Sequence, residues 1–229
     1  MALATTGVGR SVWCVQFRQE NDGISFGSGA SIDDLLTADC TLEAYMALSG
    51  LGNIVYPLSK NNGTANNGWR FTISAINQFG FQAFFLTDNV GVNTTTVEAN
   101  RWYHVAIDWD VGTLTARMFL GGVLQTQDAA VGAYQVDAAR DLICNGVNAV
   151  GTADNKMSIG PIRISNSRRY TTDTFSPPTM NNWPANDANA QLLIPMNDGA
   201  GVTATDYSGN GSHGTITFGA DTRWYHGLV

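Results

Sequence analysis

Apolar residues in this chain recur at every second position in short runs, and Gly, Asn, Asp or Pro closes each run. Period two is the signature of a strand with one face against a core, whereas a helix needs a period near 3.6. The clearest case is segment 103–110. Tyr103, Val105, Ile107 and Trp109 alternate with His104, Ala106, Asp108 and Asp110, so the first set is expected to face a core and the second the other side of the sheet. A tight turn at Asp110-Val111-Gly112-Thr113 then leads into Leu114 to Leu120, which predicts a hairpin. Leu42, Ala44 and Met46 share one face of a strand at Thr41 to Met46. Further strands are predicted at Asn53 to Lys60, Arg70 to Ser74, Phe81 to Leu86, Met157 to Ser165, Leu192 to Met196 and Gly214 to Phe218. The apolar run Val12-Trp13-Cys14-Val15 suggests that the first residues pack as a strand rather than reach out as an arm.

Helix is confined to single turns. Ser31 followed by Asp34 reads as an N-cap with an acidic third residue, which predicts one turn over Ile32 to Leu36. Segment 175–184, with Pro177-Pro178 and Trp183-Pro184, reads as a long surface crossing, because the strands after it are too few to fold alone. Those strands, in 190–218, are expected to return to partners near the N-terminus. About ten strands with turn signals between them imply an all-β, two-sheet antiparallel β-sandwich filling 1–229 as one domain, with 1–22 an N-terminal strand or arm.

Composition narrows the partners. Hydrophobic residues make up 44% of the 229 and charged residues 14%, enough apolar surface for a large core and too little charge for a disordered chain. The net charge of -7, without a Lys/Arg cluster, argues against nucleic acid, because phosphate binding needs a basic footprint. No run of eighteen apolar residues occurs, so no membrane insertion by a helix is expected. The N-terminus lacks the basic and apolar regions of a signal peptide. Three cysteines without Cys-x-x-Cys spacing, Cys14, Cys40 and Cys144, read as buried free thiols.

The segments at 39–46, 101–106, 119–122, 159–166 and 206–214 together resemble laminin-G-like domains of the concanavalin A-like lectin/glucanase superfamily. Asp39-Cys40-Thr41-Leu42-Glu43-Ala44-Tyr45-Met46 resembles the family's F-T-I-E-A-W-V strand, and Arg101-Trp102-Tyr103-His104-Val105-Ala106 its W-x-H-V-A strand. Phe119-Leu120-Gly121-Gly122 is similar to the Y-V-D-G hairpin end, with Gly121 in place of the usual Asp or Asn. Ile159-Gly160-Pro161-Ile162-Arg163-Ile164-Ser165-Asn166 is similar to I-D-E-V-R-I-S-N, with Gly160-Pro161 replacing the acidic pair. Asp206-Tyr207-Ser208-Gly209-Asn210-Gly211 with His213-Gly214 matches D-x-S-G-N-G-x-x-G. That last motif usually opens the domain and here closes it, an order that resembles versions in bacteriophage structural proteins. The resemblance implies a jelly roll with binding loops at one rim or on the concave sheet, and fold alone fixes no ligand.

Candidate chemistry follows from both readings. Relatives of the fold include glycoside hydrolases, which need two carboxyl groups at about 5.5 Å or about 6.5–9.5 Å. Glu43, Asp108 and Asp110 are the candidates here, but the Glu-x-Asp-x-Glu strand pattern is missing and Asp110 sits at a turn, so no catalytic residue is assigned. His104 belongs to the family strand motif and is expected to make a structural hydrogen bond. The resemblance also implies calcium at the rim, with Asp198, Asp206 and Asn210 as candidate ligands; the alternative is an Asx-turn followed by an Asn-Gly turn. Sugar faces stack on exposed aromatic rings while amides bond hydroxyls. Asn62, Asn66 and Asn67 before Trp69, and Asn182 before Trp183, are the candidate ligand loops; the alternative is that both indoles pack under their own loops.

The function expected from these readings is a non-enzymatic surface protein of a bacteriophage particle. A capsid decoration protein and a tail-fibre module are both open, with capsid or tail proteins of the virion as partners. The alternative is a free carbohydrate-binding lectin-like module, calcium-dependent or not, with cell-surface glycans as partners; a glycoside hydrolase is the remote alternative. Virion-surface localisation, after lysis and without a signal peptide, goes with the first reading. Assembly into a homo-oligomer is one way to protect the sandwich's edge strands.

Overall fold

The computed structural model describes residues 11–18, 21–50, 52, 54–62, 67–138, 140–147, 149–150, 156–218 and 223–228. Strands dominate. In chain order they begin with β1 Ser11–Phe17, β2 Gly23–Ser25, β3 Cys40–Leu48, β4 Leu58–Lys60, β5 Trp69–Ile73 and β6 Gln78–Ala83. Next come β7 Val90–Thr96, β8 Trp102–Asp110, β9 Thr115–Leu120, β10 Val123–Ala129, β11 Ile143–Cys144 and β12 Gly146–Val147. The last are β13 Ala149–Val150, β14 Met157–Ser165, β15 Ala190–Ile194, β16 Thr203–Ala204, β17 Gly214–Thr217 and β18 Arg223–Leu228.

Two antiparallel sheets form the sandwich. The first runs β10-β9-β8-β3-β14-β1-β18, with β15 also pairing with β14; the second runs β16-β17-β2-β11-β4-β5-β6-β7. Of the strands in 190–218, β17 pairs with β2 near the N-terminus and β15 with β14; β18, beyond the strands read from the pattern, pairs with β1. The period-two assignments hold side chain by side chain. Leu42, Ala44 and Met46 of β3 and Val105, Ile107 and Trp109 of β8 lie in one core cluster with Trp69, Phe71, Phe79 and Phe81 from the facing sheet. Each such large side chain contributes about 1.5–3 kcal/mol by leaving water. The Trp109 indole, fully buried, donates to the Leu36 carbonyl at 3.0 Å, so its one polar atom is satisfied.

Some details differ from the pattern. The single helical turn is a 3-10 turn at Leu35–Thr37, with Asp34 in the cap position at φ 48 and no side-chain cap bond. Ser31 instead approaches Ser212 Oγ at 3.5 Å. The strand predicted from Asn53 narrows to β4, with Val55 in an isolated bridge to Ile73. All three cysteines are free and buried, and burial pushes the Cys14 thiol up to about 12.

The strip that positions the candidate site is β14. Its outer neighbour changes along its length: Met157 to Ile159 pair with β1, whereas Ile162 to Ser165 pair with β15. The handover falls on Gly160-Pro161, where the register with β3 shifts between Ile159 and Ile162. Proline has no N–H for a ladder, so a bulge is where a central strand accepts it. A Cβ on Gly160 would lie 2.7 Å from Met180 Cε and 3.1 Å from Tyr45 Cβ, so glycine lets the crossing segment settle onto the sheet.

Candidate functional site

The outer face of the first sheet carries two different surfaces. One is a closed polar layer and the other an open aromatic groove beside it. The layer, and Gln16, Trp102 and Tyr225 in the groove, are built on the positions that alternate with the core residues; Trp13, in phase with the buried Val15 and Phe17 of β1, lines the groove from the end of that strand.

The closed layer comes from Thr41, Glu43 and Tyr45 on β3, His104 and Asp108 on β8, Arg117 on β9 and Arg163 on β14. Cross-strand register sets Asp108 opposite Arg117 and Glu43 opposite Arg163, opposed charges that favour this pairing. Residues 166–187 of the crossing segment then lie over them. Tyr170 Oη donates to Glu43 Oε2 at 2.6 Å, and His104 Nε2 lies 3.0 Å from the same oxygen. Arg169 Nε sits 3.2 Å from Glu43 Oε1. Arg168 Nε donates to Asp108 Oδ1 at 2.7 Å and also pairs with Asp110. The Tyr170 amide donates to Asp108 Oδ2 at 3.0 Å. Arg163 donates to Asp187 at 2.6 Å and to the Ala185 carbonyl at 3.0 Å. Burial, then the Glu43 charge, push the Tyr170 phenol well up, so it stays a donor. Asp187 is opposed by burial, but the Arg163 hydrogen bond and its other partners hold its carboxyl below the usual range.

The layer holds the hydrolase candidates. Glu43 and Asp108 are 1% and 0% exposed, and the partly exposed Asp110 is tied to Arg168, so all three carboxylates are bonded within the protein. His104 makes the structural contact expected of it. It lies in a cage of Tyr45, Tyr170, Phe175 and Trp183, with ring centroids 5.4 to 6.2 Å away.

The open groove begins where the layer ends, at the β14 handover. One hollow, about 290 Å³, is lined by Gln16, Arg18, Ser49, Asn100, Trp102 and Tyr225 among others. A second, about 270 Å³, is lined by Trp13, Asn181, Trp183, Pro195, Met196 and Asn197. Met180 lines both, so they adjoin. Trp13, Trp102 and Trp183 are half-buried and Tyr225 is 52% exposed, which leaves ring surface facing solvent. Trp183 is braced edge-on by Tyr45 at 5.9 Å, and Trp13 is packed against His226 at 4.4 Å. Gly199 leaves room for that indole, since a Cβ there would come 2.8 Å from it. Rings braced this way lose little freedom when a flat apolar face docks on them.

The residues picked out in the sequence divide. Trp183 and Asn182 lie beside the groove, Trp183 lining it and Asn182 exposed next to it. Trp69 corrects its assignment as a ligand residue: it is 0% exposed, its ring packed on Phe71 and Phe81, because it occupies a core phase of β5. Asn62 and Asn67 are bonded to each other, Asn62 N donating to Asn67 Oδ1 at 3.3 Å, and they belong to the second sheet's loops, away from Trp183. Asn66 lies outside the described residues. The calcium candidates are held by donors and carbonyls within the chain. Asp206 accepts from Leu193 N, Ser208 N, Ser208 Oγ and Ser212 N at 2.8 to 3.0 Å, so its oxygens face donors. Asp198 accepts from Thr205, and Asn210 turns its Nδ2 to the Ala190 and Gln191 carbonyls. Among the described residues no cluster of three His, Cys, Asp or Glu side chains fits a metal ion. Trp13, Trp102 and Tyr225 were missed. Trp102 was detectable as an aromatic on the polar phase of β8; Trp13 and Tyr225 needed the β1–β18 pairing.

Comparison with known proteins bears on this fold. No curated protein matches the sequence significantly. Among solved structures, a candidate carbohydrate-binding protein from Bacteroides ovatus superposes with a TM-score of 0.64 at 12% identity, over 96% of this chain and 60% of that one. This chain therefore spans less than two thirds of that protein. The CBM40 of the Ruminococcus gnavus IT-sialidase gives 0.52 at 13% identity, over 69% and 92%. The Trypanosoma rangeli sialidase gives 0.52 at 14%, over 67% of this chain and 25% of that one. At these identities the likeness is one of fold. Residues 18–173, more than half of the sequence, match the laminin-G-type family model described as Concanavalin A-like lectin/glucanases superfamily, and the chain belongs to that superfamily.

Proposed function

We propose that the chain is a non-catalytic carbohydrate-binding module and that the groove across the β14 handover is its saccharide site. The observation that carries this reading is the set of partly exposed rings of Trp13, Trp102, Trp183 and Tyr225, the first and third of them braced by neighbouring rings, lining adjoining hollows with amide side chains beside them. Such rings offer apolar faces to the C–H face of a pyranose, and Asn100, Asn181 and Asn197 supply both donors and acceptors for hydroxyls. The Bacteroides ovatus protein and the CBM40 share the fold and carry carbohydrate-binding descriptions, which agrees with this reading. The test is a glycan array followed by calorimetry on the best hit. Trp183→Ala is expected to weaken binding at least tenfold, about 1.4 kcal/mol, while the variant still unfolds in one cooperative transition at a slightly lower temperature. Chelator is expected to leave the affinity unchanged, since the Asp206 carboxylate is already occupied by donors.

For the setting of this module, we propose the surface of a bacteriophage particle, as a capsid decoration or tail-fibre component. Support comes from the closing position of the Asp206-Tyr207-Ser208-Gly209-Asn210-Gly211 motif, which resembles phage structural proteins. Peptides of this chain in purified particles of the source phage are the expected result, and their absence contradicts the setting while leaving the groove untouched.

A further inference from the structure

The outer face of the second sheet, on the far side of the sandwich from the groove, holds a second recess. Its origin is again the strand alternation. Trp69 and Phe71 of β5 point into the core at 0% exposure, so Arg70 and Thr72 between them point out. Register then sets Gln82 of β6 beside Arg70, and Gly80 of β6 between Thr72 and Asn93 of β7. Gly80 matters for what it leaves out. A Cβ there would lie 2.5 Å from both Thr72 Oγ1 and Asn93 Oδ1, so a larger residue would make these side chains turn, and glycine leaves room for both polar groups over the strand. The recess is about 280 Å³, lined chiefly by Tyr56, Arg70, Thr72, Ser74, Gln82 and Asn93, and no carboxylate is among its lining residues.

Arg70 is held in place without being neutralised. Its Nε donates to Gln82 Oε1 at 2.8 Å. The guanidinium carbon lies 5.1 Å from the Tyr56 ring centre and 5.3 Å from that of Phe84. Arg101, Arg117, Arg163, Arg168 and Arg169 each pair with a carboxylate, whereas Arg70 forms no ion pair among the described residues. Its two terminal nitrogens make no hydrogen bond with the protein there. A fixed guanidinium with free terminal N–H groups matches a planar, bidentate carboxylate.

We propose that this recess is a second saccharide site and that it takes a sugar residue bearing a carboxylate. Arg70 forks onto the carboxylate, Thr72, Ser74 and Asn93 bond ring hydroxyls, and the Tyr56 ring borders the pyranose. The volume suits one monosaccharide unit. The site shares no residue with the Trp183 groove, so either assignment stands without the other.

The experiment is a chemical-shift titration of the isotope-labelled protein with methyl β-D-glucuronide and the methyl glycoside of N-acetylneuraminic acid, using methyl β-D-glucoside as the neutral control. The expected result is saturable shifts at the Arg70 Nε–H and the Gln82 and Asn93 side-chain amides with at least one acidic sugar and not with glucoside. Arg70→Lys, which keeps the charge but not the fork, is expected to weaken that binding at least tenfold, and Thr72→Val by a smaller factor. Trp183→Ala is expected to leave it unchanged. Absence of shifts with both acidic sugars, shifts confined to the Trp102 and Trp183 indoles, or an equal response to glucoside would overturn the proposal. So would tighter binding at Arg70 by a glutamate-rich peptide than by either sugar.

Discussion

Asp137 is buried at 1% exposure, facing Tyr134, Asp34 and Lys60 from three different segments. Burial pushes its carboxyl up to about 6, against the opposing hydrogen bonds of Tyr134 and the Asp34 amide and the charge of Lys60. A carboxyl raised in the folded state binds its proton more tightly there than in the unfolded chain. Its contribution to stability is therefore complete below about pH 4 and is lost as pH rises to about 6, a change of roughly 3 kcal/mol. Urea unfolding between pH 4 and 6.5 is expected to show this decline in the parent and a flatter profile in Asp137→Asn; parallel profiles would contradict it. The two singled-out tryptophans make a sharper contrast. Trp69→Ala is expected to cost about 3–5 kcal/mol, because it empties a core position, whereas Trp183→Ala, which removes a half-buried ring packed on Tyr45 and His104, is expected to cost less, about 1 kcal/mol. Glu43→Ala would leave His104, Tyr170 and Arg169 facing a gap, a loss of about 3–5 kcal/mol measurable by denaturant titration.

The crossing segment divides the first sheet's outer face into closed and open parts, and it is anchored at points that the chain's local pattern does not reveal. Phe175 stacks on Tyr170 with ring centroids 3.6 Å apart, and the Phe175 amide donates to the Gly122 carbonyl at 2.8 Å. Gly122 has φ 81, and a Cβ on it would lie 2.1 Å from the Phe175 carbonyl oxygen. Gly122→Ala is thus expected to cost roughly 1–3 kcal/mol and to speed hydrogen exchange at Leu124 and Phe175, whose amides close this contact; unchanged exchange would contradict the anchoring role. Strands were legible in the sequence wherever one face meets the core and the other is polar, as in β8 and β9. They were not legible where few residues pair or both faces are mixed. Gly23–Ser25 is three residues long, and Val123–Ala129 is exposed along most of its length, so neither shows a clean period. β14 is buried on every residue, because the crossing segment covers its outer face, yet its apolar run still marked a strand.

For the molecule as a whole, the sandwich exposes two outer faces with different chemistry, an aromatic groove on one and, on the other, a recess around an arginine without an ion pair among the described residues. The architecture was legible because strand number and turn spacing constrain it strongly. The groove was half legible: Trp183 was singled out from its loop, but its partners come from residues 13, 102 and 225, which are joined only by long-range pairing. The same limit explains Trp69, where an Asn-rich loop resembled a binding loop although the indole belongs to the core phase of the following strand. The carboxylates at 43, 108 and 110 resembled a hydrolase pair because the residues that bind them lie 58 to 127 positions away in sequence. The measurement that bears most directly on the function is calorimetry of the parent and Trp183→Ala proteins against the best ligand from a glycan array. Saturable binding in the parent, weakened at least tenfold in the variant with its fold intact, is the predicted result. Equal affinity in the two proteins, or no glycan bound by the parent, would contradict the groove as a saccharide site.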